Sequence, residues 1–207
     1  MSTIEVEARA LLLPEQRTAM LAYMHTLGPV QETNRVMFDF SGEDRSRTVT
    51  LRLNNGRQEL VAKTGKLTDG VRREAKVLLN AKNTLEQALS YLAIMGHTAG
   101  MLSLRKVYAV KADGLEYSMR DILRGGSLER ASTLLEIEAL NVAEGQEQAA
   151  SQKVHGAFEA QGLSPLSGPQ WEQWVRDTYQ NVDQSFENTP ESVQQVVQAL
   201  GSFIAPQ

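Results

Sequence analysis

Charged and aliphatic residues alternate one for one along segment after segment of this chain, and that alternation restricts it to a sheet with one polar and one apolar face. In IEVEAR (Ile4 to Arg9), Glu5, Glu7 and Arg9 fall on one face and Ile4, Val6 and Ala8 on the other. LLEIEA (Leu134 to Ala139) repeats the device, with Glu136 and Glu138 opposed by Leu135 and Ile137. Between them, TVTLRLN places Arg52 with Thr50 and Asn54, ELVAKTG sets Lys63 against Leu60 and Ala62, VRREAKV groups Arg72, Glu74 and Lys76, and LSLRKVY groups Arg105 with Ser103 and Val107. Any one such strand fits a half-exposed sheet whose charges are solvated. Six of them, with helices available to cover the aliphatic faces, predict a sheet closed on itself, charged faces inward and no open edge.

The coarse organisation agrees. Strands are expected at 3–13, 32–40, 47–54, 57–64, 71–79, 102–111, 114–119 and 129–140, with Asn54-Asn55-Gly56 and Asp113-Gly114 as tight turns. Pro14 opens a helix that Gly28 and Pro29 close, and Asn83 offers an N-cap to a second helix running to Gly96. After residue 140 the composition turns to Gln, Ala, Ser and Glu, and helices are expected over 144–162, 168–187 and 190–204 with no strand among them. Trp171, Trp174, Val175 and Tyr179 share one face of the middle helix, the pattern of a helix packed on a core. The expected fold class is therefore α+β: an eight-stranded antiparallel closed β-barrel over 1–140, and a C-terminal helical extension over 141–207 packed on it as part of one domain.

Composition narrows the chemistry. A chain of 207 residues with 42% hydrophobic content can bury one good core. No apolar run reaches the roughly 18 residues that span a bilayer, and the N-terminus lacks the layout of a secretory signal, so no membrane partner and a cytoplasmic location are expected. With no cysteine, a metal must be held by oxygen or by His25, His97 or His155, which show no ligand spacing. The net charge of −4 argues against a nucleic-acid surface but not against a local basic cavity.

Glutamates at i and i+2 stand roughly 7 Å apart, and two glutamate-paired strands suggest a divalent-metal site. Arg9, Arg52, Lys63, Arg72 and Arg105 packed together would repel, since two unit charges about 4 Å apart cost roughly 4 kcal/mol at an effective dielectric near 20. A polyanion relieves both sets. Carboxylates holding Mg²⁺ or Mn²⁺ beside guanidinium and ammonium groups is the arrangement that phosphoryl transfer requires.

These segments, in this order, resemble the CYTH superfamily, the triphosphate tunnel metalloenzymes. IEVEAR is similar to the family's opening ExExK signature, LRLNNGRQELVAKTG to its arginine strand, turn and lysine strand, VRREAKV to its R-x-E strand, LRKVY to its second arginine strand and LLEIEA to its closing E-I-E strand. The resemblance covers roughly residues 3–140 and implies an eight-stranded tunnel, with Glu5, Glu7, Glu136 and Glu138 as ligands of Mg²⁺ or Mn²⁺ and Arg9, Arg52, Lys63, Arg72 and Arg105 as triphosphate clamps. It also makes Glu74, Arg52 and Lys63 the catalytic candidates, with Glu74 orienting the attacking water. Departures are visible: Arg9 stands for the signature lysine, Lys76 and Ser103 for a usual glutamate and lysine, and Arg120 near a usual acidic position for which the adjacent Asp121 is available, so one metal rather than two is implied.

The activity implied is metal-dependent hydrolysis of a terminal phosphoanhydride. Aromatic residues make up only 6% of the chain, and Tyr108 and Tyr117, the strand-borne candidates for a stacking platform, suit packing better, so inorganic triphosphate is favoured. Thiamine or nucleoside triphosphate hydrolysis, class IV adenylyl cyclisation and a non-catalytic triphosphate-binding module are the alternatives. The expected partner is a small-molecule triphosphate, and a homodimer is compatible with the sequence.

Overall fold

The computed structural model describes residues 3–40, 47–55, 57–64, 71–79, 85–125 and 127–204; the side chains of Thr3, Glu5, Arg47, Val71, Arg72, Arg73, Tyr179, Ser202 and Ile204 lie outside the description. In chain order the elements are β1 (Thr3–Leu12), α1 (Pro14–Leu27), β2 (Gln31–Asp39), β3 (Arg47–Asn54), β4 (Arg57–Thr64), β5 (Val71–Leu78), α2 (Leu85–Ile94), β6 (Ala99–Ala112), β7 (Leu115–Leu123), β8 (Arg130–Val142), α3 (Glu147–Glu159), α4 (Gly168–Asn181), β9 (Gln184–Glu187) and α5 (Pro190–Ile204). The first eight strands fall within a few residues of their expected places because strict alternation fixes both their type and their register. Asp113 (φ 51°) and Gly114 (φ 72°) both take the positive φ that a two-residue hairpin turn demands.

Every pairing is antiparallel, in the order β2-β3-β4-β5-β1-β8-β7-β6-β9, with β2 also paired to β6. The sheet curls strongly, but it forms an open half-barrel rather than the closed barrel expected. β1 meets β5 only from Thr3 to Val6, opposite Glu74 to Val71, so the rest of β1 has no β5 partner among the described residues. The chain entering α4 comes alongside β1, where the Leu166 N–H donates to the Arg9 carbonyl at 2.7 Å.

The convex face carries the core as two clusters. Met20 and Met24 of α1 and Val154 and Phe158 of α3 pack on Val6, Ala10, Met119, Leu135 and Ile137. Leu89 and Leu92 of α2, Phe186 of β9 and Val193 and Leu200 of α5 pack on Val36, Phe38, Leu51 and Leu104. β9 corrects the expectation of an all-helical tail: α4 stops at Asn181, and Gln184–Glu187 adds an edge strand to β6. Phe186, its buried residue, makes edge-to-face contact with Phe38 at 4.9 Å.

A buried polar bridge fixes α1. Arg17 donates to both carboxylate oxygens of Asp121, with bonds of 2.7–3.2 Å, and the Thr133 hydroxyl donates to Asp121 at 2.7 Å. Asp121 is thus committed to the convex side, on the opposite face of β7 from Arg120, and cannot stand in for an acidic residue within the concavity.

Candidate active site

The concave face gathers the polar halves of the strands. Arg9, Arg52, Lys63, Arg105 and Glu136 line one cavity of about 130 Å³ with Arg120, Asp39, Thr48, Thr50 and Asp183. Four of the five expected clamps therefore meet. The fifth, Arg72, pairs in register with Glu5, but both of those side chains lie outside the description.

Glu7, Glu136 and Glu138 bring one carboxylate oxygen each to within 4.8 Å of one another. Their convergence follows from register, since Glu7 opposes Glu138 and Arg9 opposes Glu136 across the β1–β8 ladder. Three hard oxygen donors, with no histidine in the cluster, suit Mg²⁺ or Mn²⁺. A divalent ion bound there would supply positive charge beside the cavity's cations. Two of the carboxylates, Glu7 and Glu136, are meanwhile held by arginine. Arg9 donates from Nε to Glu136 Oε2 at 2.8 Å and from Nη2 to Glu7 Oε1, while Arg120 donates from Nη2 to Glu136 Oε1. Burial opposes ionisation of Glu136, yet Arg120 and Arg9 outweigh it and keep its carboxyl far below the usual range.

Glu74 reaches the cavity through Lys63, at 3.0 Å, and Lys76 contacts its other oxygen at 3.1 Å. Burial raises its pKa, but Lys63, Lys76 and Arg52 together leave it lowered. A carboxylate so placed holds Lys63 well and is a poor proton acceptor at neutral pH.

Three contributions were not anticipated. Trp171 and Trp174, expected to pack on the core, form part of the cavity wall: their rings stack at 5.0 Å and 20°, and the Arg9 guanidinium lies 4.4 Å from the Trp171 centroid. Asp183, just past α4, has a fully buried side chain 3.6 Å from Arg105. Arg35 on β2 shares the concave face with Met37 and Asp39, and its Nε donates to Asn54 Oδ1 at 2.7 Å. A helical face of tryptophans was legible in the sequence, but the surface it meets was not. Tyr108 and Tyr117 are buried on the convex face, Tyr117 edge-to-face with Tyr23, so neither is a stacking platform for the cavity.

No protein-family model matches the chain, and no curated protein sequence matches it. Solved structures do share its fold. A protein of Pyrococcus horikoshii superposes with a TM-score of 0.59 at 14% identity, covering 84% of this chain and 99% of that one. A chain of the Mediator head module of Schizosaccharomyces pombe gives 0.56 at 12% identity, covering 76% and 92%. A proposed adenylate cyclase from Bacillus halodurans gives 0.52 at 14% identity, covering 80% and 93%.

Proposed function

Starting from a chain built on the CYTH fold, we propose that it is a metal-dependent triphosphatase whose preferred substrate is inorganic triphosphate. The observation that carries this is the meeting of the Glu7, Glu136 and Glu138 cluster with Arg9, Arg52, Lys63 and Arg105 in one concavity. The cations hold the triphosphate oxygens and offset the charge that builds on the leaving diphosphate. Water adds to the terminal phosphorus, the bridging P–O bond breaks, and orthophosphate and diphosphate leave. Glu7, Glu136 and Glu138 hold the Mg²⁺ or Mn²⁺ that such chemistry uses, and Glu74 keeps Lys63 aimed at the substrate.

Trp171 favours an inorganic chain over a ring-bearing substrate, because Arg9 covers one of its faces and Trp174 stacks against it. A non-catalytic triphosphate-binding module is the second reading, favoured by the double engagement of Glu136 by Arg9 and Arg120. The partner in either case is a small-molecule triphosphate. A cytoplasmic setting belongs to the same proposal; among the described residues no helix is long and apolar enough to cross a membrane.

The test is phosphate release from inorganic triphosphate, ATP and thiamine triphosphate, each with Mg²⁺, Mn²⁺ or EDTA, and with Glu7→Gln as control. Turnover that needs metal, is fastest on inorganic triphosphate and is lost in Glu7→Gln is the expected result. Triphosphate binding without turnover in any metal would move the assignment to the binding module.

A further inference from the structure

Arg35 is not among the residues that line the cavity, yet register places it among that site's cations. It stands directly opposite Arg105 across the β2–β6 ladder. On its other side it opposes Asn54, while Arg52 opposes Met37, so Arg35 and Arg52 are diagonal neighbours. Arg120 opposes Val107 across β6–β7 and is therefore diagonal to Arg105. Paired residues on one face of a sheet have Cβ atoms about 5 Å apart, and diagonal neighbours lie about 7–8 Å apart. Four adjacent strands, β7, β6, β2 and β3, thus carry an unbroken arc, Arg120–Arg105–Arg35–Arg52, along the concave side.

Like charges directly opposite one another destabilise a sheet. Burial first, then the charges of Arg52 and Arg120, push the Arg35 guanidinium down to about 9, with Glu136 and Glu59 only partly compensating. The group keeps its proton at neutral pH, so the repulsion is present in the ligand-free protein. Asn54 fixes the guanidinium at Nε and is itself held by donating to Glu59 Oε2 at 3.2 Å. Beside it, the buried Nε of Arg52 has no hydrogen-bond partner. Asp183 and Glu136 offset Arg105 and Arg120, and a polyanion lying along the arc would offset the charge at its middle, on Arg35 and Arg52.

We infer that Arg35 is a substrate-binding residue, the centre of a four-arginine arc that seats the phosphate chain of the triphosphate. The inference rests on the triphosphate reading of the site and adds to it a residue and a binding surface.

The experiment titrates inorganic triphosphate into wild type, Arg35→Gln and Arg35→Lys by calorimetry in EDTA, alongside ligand-free melting temperatures. Arg35→Gln is expected to weaken binding about tenfold or more. Arg35→Lys should fall in between, because it keeps the charge and loses the planar fork. The ligand-free melting temperature of Arg35→Gln should equal or exceed that of wild type, since a repulsive charge is gone. A residue that merely supports the fold would lower it. Binding within twofold of wild type in Arg35→Gln, or a lower melting temperature, overturns the assignment of Arg35 while leaving the triphosphate reading intact. Wild-type protein that neither binds nor hydrolyses triphosphate overturns that reading, and this inference with it.

Discussion

A Glu136→Gln variant is expected to lose metal-dependent triphosphate hydrolysis by about 100-fold or more, and to be less stable by about 3 kcal/mol. The carboxylate has two duties. It belongs to the three-glutamate cluster, and it is the charged acceptor for both Arg9 and Arg120. The amide keeps the shape but removes the carboxylate that Arg120 engages and leaves Arg9 with Glu7 alone, and breaking a buried pair from one side costs far more than the pair contributes net. Urea unfolding measures the stability and phosphate release the activity. A wild-type unfolding midpoint, or undiminished turnover, would refute the role given to this residue.

The same ion pairs set a pH dependence. Glu136 and Glu74 both have lowered folded-state pKa values, so the unfolded chain binds protons first as the solution is acidified. Their contribution is fully present above the ordinary carboxylate value of about 4.3 and disappears as pH falls through the depressed folded values. Wild type should therefore lose stability steeply on the acid side, and Glu136→Gln should show a shallower acid limb.

Truncation after Ser167 is expected to abolish cooperative folding. The removed segment carries α4, β9 and α5, and with them Phe186, Val193 and Leu200, all buried in the second core cluster. Three such side chains are worth about 6 kcal/mol at 1.5–3 each, comparable with the whole stability of an ordinary domain. Backbone partners go as well: Asn188 donates from Nδ2 to the Leu89 carbonyl at 2.8 Å and to the His97 carbonyl at 3.0 Å, and its N–H bonds the Thr98 carbonyl at 2.8 Å. Circular dichroism against urea decides the matter. A truncated chain with a wild-type transition would mean that these contacts are dispensable; Phe186→Ala, at about 3 kcal/mol, calibrates the scale.

The difference between what was legible in the sequence and what was not follows the range of the interactions. Eight strands could be read because period-two alternation is local and strong. β9 could not: QSFE holds a single apolar residue, and its strand character comes from pairing with Ala99–Leu102 far along the chain. Arg52, Lys63 and Arg105 were found in place because each shares a strand face whose other side is aliphatic. Arg35 reads as one cation in TNRVMFD, since nothing local shows that it will stand opposite Arg105. Asp121 misled for the opposite reason: adjacency to Arg120 in sequence means opposite faces in a strand. Where a distant segment settles is likewise not written locally: Leu166 onward lies alongside β1.

That settling has an optical corollary. The chain contains two tryptophans, and both are in the cavity wall, stacked on each other with a guanidinium on the outer ring. The intrinsic fluorescence excited at the red edge is therefore emitted wholly from the site. An anion that draws Arg9 toward its own oxygens would change the field over Trp171, and the emission would shift with occupancy, giving the unlabelled protein a built-in gauge of ligand binding.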